Sequence, residues 1–178
     1  MFEKQSVIRP QDIVILLKRI TPSGRVMNGK ELAESLGMSP AEVSLSMARS
    51  RNARLTDSSN SINLLSLKEF LIHGIRYCFP VQPGRLVRGV VTGSSASPIN
   101  DLLVPNGELY VWKDPAGTER GQAITPLYPS VTEAVKKDLA LYELLSIVDS
   151  LRIGRARERE VATDVLSKKF DEYAKARK

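Results

Sequence analysis

The sequence predicts a mainly α-helical protein with minor β structure in its middle. Apolar residues recur at helical spacing in residues 1–79 and again in residues 130–178. Residues 80–129 are instead rich in proline and glycine and hold only short runs of β-forming residues. These observations divide the chain into an N-terminal helical domain, a Pro/Gly-rich middle region with short strands, and a C-terminal helical segment.

The N-terminal domain holds four predicted helices, at about 10–20, 29–36, 40–51 and 64–77. Pro10 suits the first position of a helix, and Asn28 is a good capping residue for the next one. Between the third and fourth helices, residues 54–63 are polar and fit a tight loop or a reduced β-wing. We therefore expect a compact helical unit with a short loop near its end.

The middle region has two short β-forming runs, at 86–91 and 109–112. Asn106 and Gly107 precede the second run, and an Asp-Pro-Ala-Gly turn follows it at 114–117. Asn-Gly and Asp-Pro-Ala-Gly sequences are typical of turns between strands. A small hairpin system is therefore expected here.

The C-terminal segment begins with Ser130 and Glu133, whose spacing is typical of a capping box. One helix is predicted from there to Leu151, with apolar residues around more of its circumference than a surface helix needs. We expect a homodimer that covers this face, although the proline-rich middle of the same chain is an alternative cover. Residues 155–178 are predicted to form a charged, amphipathic helical tail.

Residues 30–49 fit the physical needs of a helix-turn-helix. Ala33 is small where two helices cross closely, and Gly37 permits the left-handed backbone of a tight turn. Ser39 is placed to cap the second helix of the pair, with Pro40 in its first position. Glu42 is placed to close a capping box with Ser39.

The Leu-Ala pair, the Leu-Gly turn and the Ser-Pro-Ala-Glu-Val-Ser segment resemble the helix-turn-helix of the winged-helix superfamily, as in MarR-like transcriptional regulators. The resemblance covers about residues 28–55 and implies a winged-helix-like domain with a recognition helix in the DNA major groove. Two features depart from the family: Leu45 stands where such proteins often have arginine, and the wing lacks basic residues at its tip. The DNA-contacting positions that the resemblance implies are Arg25, Lys30, Ser39, Ala41, Ser44, Leu45, Ala48, Arg49, Arg51 and Arg54.

The net charge of +6 and the isoelectric point near 9.5 favour a polyanionic partner. Together with the motif, they predict a sequence-specific DNA-binding transcriptional regulator that binds double-stranded DNA, acting as a dimer. One alternative is an antitoxin-like or adaptor protein that binds a partner protein from the same operon through its middle and C-terminal segments. Another is that the helix pair is only structural or protein-binding.

Catalytic and metal chemistry find little support in the sequence. The chain has one cysteine, Cys78, and one histidine, His73, which excludes a disulfide within the chain and a Cys-rich zinc site. The Gly-Ser-Ser-Ala-Ser run at 93–97 lacks the Gly-Lys-Ser/Thr ending of a phosphate-binding loop. We therefore expect a protein that is not an enzyme, without cofactor or metal. Since residues 1–10 lack the apolar region of a signal peptide, a cytoplasmic location without membrane association is expected.

Overall fold

The computed structural model describes residues 7–21, 27–104, 107 and 109–176. The mainly α-helical class with a small sheet is confirmed. The helices are α1 (Pro10–Ile20), α2 (Gly29–Leu36), α3 (Pro40–Asn52), α4 (Leu64–Glu69), α5 (Ile75–Cys78), α6 (Val131–Ala134), α7 (Leu139–Ile153) and α8 (Ala156–Ala176). The strands are β1 (Leu86–Val91), β2 (Tyr110–Lys113) and β3 (Glu119–Ala123). Within the described ranges, no helix has the length and apolar character needed to cross a membrane.

Helix α1 lies at the centre of the N-terminal part. It begins at Pro10, and the backbone N–H of Arg9 donates to the carboxylate of Asp12 at 2.8 Å. The five residues from Ile13 to Leu17 are each at most 1% exposed. Such complete burial requires neighbours on every side, and α1 packs against α2, α3 and α7.

The helix predicted at 64–77 is present, but it contains one turn of π-helix. The residues of this turn, Phe70–Gly74, join α4 to α5. A Cβ atom at Gly74 would lie 3.0 Å from the ring of Phe70, so the absence of a side chain lets the ring lie over the turn. The spacing of apolar residues does not distinguish one π turn from α-helix, which is why the turn was not predicted.

The three strands form a small closed barrel in which β1 pairs antiparallel with both β2 and β3. The turn expected at 114–117 is present, with the N–H of Gly117 donating to the carbonyl of Asp114 at 3.0 Å. The predicted hairpin is wrong, however, because β2 and β3 run parallel to each other. A Cβ atom at Gly89 would lie 2.0 Å from the carbonyl oxygen of Trp112, so closure of this tight barrel requires glycine. Of the predicted Asn106-Gly107 turn, Asn106 lies outside the described residues.

The single helix predicted from Ser130 to Leu151 is divided in the structure. Helix α6 and a turn of 3-10 helix at Val135–Lys137 come first, and α7 begins only after Asp138. The side chain of Asp138 accepts from the N–H of Leu141 at 3.0 Å and pairs with Lys18 at 2.5 Å. The Ser130–Glu133 capping box is not formed, because the Ser130 hydroxyl donates instead to the carbonyl of Leu36.

Helix α7 is buried within one chain. Leu141, Leu144, Ile147 and Val148 are fully buried, and they belong to the same core cluster as α1. That cluster takes residues from all three segments of the chain. The apolar face that was expected to need a partner subunit is therefore covered internally, so this argument for a homodimer is wrong.

A buried polar network fixes α7 against the barrel. The Asp149 carboxylate accepts hydrogen bonds from Thr92 at 2.9 Å and from the indole of Trp112 at 2.7 Å. Arg152 donates to the same carboxylate at 2.7 Å and to the carbonyl of Phe79 at 3.0 Å. Burial raises the pKa of Asp149, although the charge of Arg152 opposes the shift. Arg152 is therefore a structural residue of the core.

Candidate nucleic-acid interface

The predicted helix-turn-helix is formed by α2, a tight turn and α3. Asn28 caps α2 by accepting from the backbone N–H groups of Lys30 and Glu31, each at 3.0 Å. The Glu31 carboxylate in turn accepts from the N–H of Asn28 at 3.0 Å, which completes a capping box. The start of α2 therefore agrees with the sequence prediction.

The turn and the start of α3 follow from three residues. Gly37 has φ 62° and ψ 35°, the left-handed conformation that glycine adopts without steric cost. The Ser39 hydroxyl accepts from the N–H of Glu42 at 3.1 Å, and Pro40 occupies the first turn of α3. The predicted capping box at this helix is wrong, because the Glu42 carboxylate accepts from Arg49 and not from the backbone N–H of Ser39.

Apolar residues of α2 and α3 form the core that the two helices share. Leu32, Ala33, Leu36 and Val43 are nearly fully buried, and the whole pair packs against α1. This packing fixes which side of α3 faces outward. Eight of the predicted contact residues are exposed: Lys30, Ser39, Ala41, Ser44, Leu45, Ala48, Arg51 and Arg54. Arg25 lies outside the described residues.

Four of the eight exposed residues line one cleft of about 500 Å³ between α2 and α3. They are Lys30, Ser44, Ala48 and Arg51. The cleft therefore combines the cationic side chains of Lys30 and Arg51 with the small, uncharged Ser44 and Ala48 on the outward face of α3. Such a surface suits close approach of a polyanion, because small side chains leave room and cations attract phosphate.

The predicted role of Arg49 in DNA contact is wrong. Only 3% of Arg49 is exposed, and its guanidinium binds the fully buried carboxylate of Asp12 in a bidentate manner, at 2.6 and 2.8 Å. It also donates to Glu42 at 2.8 Å, and Gln11 donates to the same carboxylate at 3.1 Å. Arg49 therefore points inward and ties α3 to α1.

The ionisation of this network follows from its hydrogen bonds. The bond to Asp12 raises the pKa of Arg49 even though burial acts in the opposite direction. At Glu42 burial opposes ionisation, but the hydrogen bonds from Arg49 and Gln11 outweigh it and lower the pKa. Arg49 and Glu42 are accordingly in their ionised forms near neutral pH.

The loop after α3 contributes to the cleft through Asn60. The side chain of Asn60 accepts from Arg51 at 2.6 Å, and its backbone carbonyl accepts from Arg19 at 2.8 Å. Arg19, at the end of α1, also lines the cleft, and the sequence reasoning missed it. Arg19 follows the apolar run of α1, and a cation at that position was the sequence feature that could have indicated an exposed residue near the cleft.

The same loop has the dimensions of a very short wing. Its two sides meet in a single antiparallel bridge between Thr56 and Ile62. At its tip the Asp57 carboxylate accepts from the hydroxyl and N–H of Ser59 and from the N–H of Ser61, which lowers the pKa of Asp57. The tip therefore carries a negative charge, which repels phosphate.

The described residues include no group of three or more His, Cys, Asp or Glu side chains arranged to hold a metal ion. His73 and Cys78 are both exposed. No family model, curated protein or solved structure matches the chain. The function is therefore argued from the site itself.

Proposed function

We propose that the protein is a sequence-specific DNA-binding transcriptional regulator, with α3 as its recognition helix. The observation that carries this proposal is the outward face of α3, where small and uncharged side chains lie beside the cations Lys30 and Arg51 in one cleft. Helix-turn-helix proteins place such a face in the major groove. The proposal includes a winged-helix-like relationship, with residues 54–63 as a reduced wing, and a cytoplasmic binding role without catalysis or cofactor.

Base recognition in this proposal comes from the middle of α3. Ser44 is exposed and suits hydrogen bonding to base edges. Leu45, which is 50% exposed, and Ala48 suit contact with the methyl group of thymine. Phosphate contacts come from Lys30, Arg51 and Arg54 rather than from these side chains.

The test is DNA binding by the full chain to the region upstream of its own gene, with footprinting to locate the site. We expect affinity to fall steeply between about 50 and 200 mM salt, since phosphate contacts release counterions. A Lys30→Gln/Arg51→Gln variant should bind more weakly, with a salt slope smaller by roughly 2. A Lys168→Gln/Lys175→Gln variant loses the same charge from exposed positions of α8 and is the matched control.

If the α8 control lost as much binding as the cleft variant, the result would contradict the proposal that α3 is the recognition helix. Leu45→Ala should leave nonspecific affinity unchanged and weaken discrimination between sites, because the side chain carries no charge. Absence of any wild-type binding at low salt would refute the proposal.

A homodimer remains part of the proposal, on grounds of DNA geometry. Half-sites one helical turn apart, about 34 to 36 Å, are read by paired recognition helices. Sedimentation at micromolar concentration tests this directly. A monomer that binds a single half-site tightly would contradict it.

An adaptor role is the second candidate, and a different surface favours it. Val104 is 83% exposed and lines a cleft of about 210 Å³ together with Leu109 and Tyr110, and Leu102, two positions earlier in the chain, is 59% exposed. Exposed apolar side chains beside a cleft are typical of protein-binding surfaces. Coexpression with the product of the neighbouring gene tests this role, and a Leu102→Ser/Val104→Ser variant should then lose the complex.

A further inference from the structure

The barrel carries two arginines directly opposite each other. Arg88 of β1 and Arg120 of β3 are partners in the antiparallel register, and both are exposed. Partners in such a pair lie on the same face, with Cβ atoms about 4.5 to 5.5 Å apart. Two like charges at this position destabilise a sheet.

No acidic residue relieves this repulsion in the described part of the chain. Neither guanidinium takes part in an ion pair or hydrogen bond there. Glu119 is paired with Gly89, one position along β1, so it lies on the opposite face from Arg120. The carboxylate of Asp114 is occupied by Lys136 at 3.2 Å and by the N–H of Ala116 at 2.9 Å.

Four other cations of the described chain are held in ion pairs. Arg49 pairs with Asp12, Arg152 with Asp149, Arg157 with Glu160 and Lys169 with Glu143. Lys113 pairs with Gly89, as Glu119 does, so it lies on the face of Glu119 and not beside the opposed arginines. We define the exposed pair of Arg88 and Arg120 as the barrel cation surface.

We propose that the barrel cation surface binds the phosphate backbone of duplex DNA, as a contact additional to α3. Guanidinium groups bind phosphate oxygens in a bidentate manner, and a phosphate placed between two of them removes their repulsion. Duplex DNA supplies closely spaced phosphates without requiring a particular sequence. The inference rests on the proposed function, because DNA is already the partner proposed for α3.

The experiment measures binding of the full chain to a fluorescein-labelled duplex of about 30 base pairs, between about 50 and 200 mM salt. The Arg88→Gln/Arg120→Gln variant should bind about tenfold more weakly at the lower salt, with a salt slope reduced by roughly 2. The Lys168→Gln/Lys175→Gln variant has the same net charge and should stay within about twofold of wild type. Unchanged affinity and slope in the arginine variant would overturn the inference and leave an acidic protein as the partner for this surface.

A charge reversal separates binding from folding. In Arg120→Glu the new carboxylate faces Arg88, so the thermal midpoint should equal or exceed that of wild type while DNA affinity falls. A lower midpoint with an unchanged salt slope would show a structural role and overturn the inference. If Lys30→Gln/Arg51→Gln loses affinity and the arginine variant does not, the inference fails alone; if wild type binds no DNA, the proposed function fails with it.

Discussion

Helices α3 and α7 are similar in length, with 13 and 15 residues, but they have opposite relations to the rest of the molecule. Only one side of α3 is buried, through Val43, Ser46 and its last turns, and its other side is open to solvent. The second half of α7 is buried on every side. Helix α7, which has more apolar residues, is thus buried inside the fold. Helix α3, which has fewer, carries the candidate site on its exposed side.

This difference shows that a helix with apolar residues around most of its circumference is covered within this chain. The surplus on α7 suggested a partner subunit, yet α1, α5, α8 and the turn at Gly93–Ser95 supply the cover. The outer face of α3, in contrast, has no cover in the described chain. Four substitutions, in α3, in α7 and in the turn before α3, test this difference.

The largest effect is expected at the inner edge of α3. Arg49→Gln leaves the buried Asp12 carboxylate without its charged partner, so the free energy of unfolding should fall by about 4 kcal/mol. Urea denaturation followed by circular dichroism measures this. Arg54→Gln, at an exposed position, is the control and should change stability by less than about 0.5 kcal/mol. A stable Arg49→Gln protein that had lost DNA affinity would instead restore this arginine to the interface.

The next effect concerns α7. Leu144 is fully buried, and Leu144→Ala should lower the free energy of unfolding by about 3 kcal/mol through lost burial and a cavity. Leu139 begins the same helix but is 69% exposed, so Leu139→Ala should change stability by less than about 0.5 kcal/mol. Denaturation at two protein concentrations adds a check. If the denaturation midpoint rose with protein concentration in wild type and not in Leu144→Ala, this face of α7 would belong to a subunit interface.

The sequence predicted the local features of this fold better than its tertiary ones. The bounds of α1 and α2 and the cap at Ser39 follow from signals within a few residues, and they are confirmed. The break before α7 depends on Lys18, which is 120 positions away from Asp138, and the parallel pairing of β2 and β3 depends on both strands meeting β1. Such contacts leave no local pattern in one sequence.

The candidate site shows the same division. Helical spacing correctly placed Ser44 and Ala48 on the outer face of α3. It failed at Arg49, because an arginine at the end of a recognition helix is usually exposed and only the buried Asp12 reverses that. The pairing of Arg88 with Arg120 required the strand register, which the sequence does not contain.

A smaller effect is expected at the turn that presents α3. Gly37 has a left-handed conformation, and a Cβ atom there would lie 3.3 Å from Ser130. Gly37→Ala should therefore cost about 1 to 2 kcal/mol of stability. Gly29, in the first turn of α2, has no atom within 4 Å of the equivalent position, and Gly29→Ala should be neutral or stabilising by up to about 1 kcal/mol. Equal stability of the two variants would contradict the role of the turn.

The smallest effect is a pH dependence at Glu42. Its pKa is lowered in the folded protein from the ordinary value of 4.5, because hydrogen bonds from Arg49 and Gln11 outweigh burial. A lowered pKa stabilises the folded state above pH 4.5, and this contribution is lost as the pH falls through the folded value. Glu42→Gln removes the charge but keeps the size, so it should reduce stability at pH 7 by less than about 1 kcal/mol.

The difference in unfolding free energy between wild type and Glu42→Gln should therefore narrow as the pH is lowered below 4.5. Urea titrations at several pH values between about 3 and 7 follow this difference. A difference that widens at low pH would mean that Glu42 destabilises the folded state when ionised. The Glu42 carboxylate would then lower the stability of the protein, and Asp12 alone would hold Arg49 in its buried position.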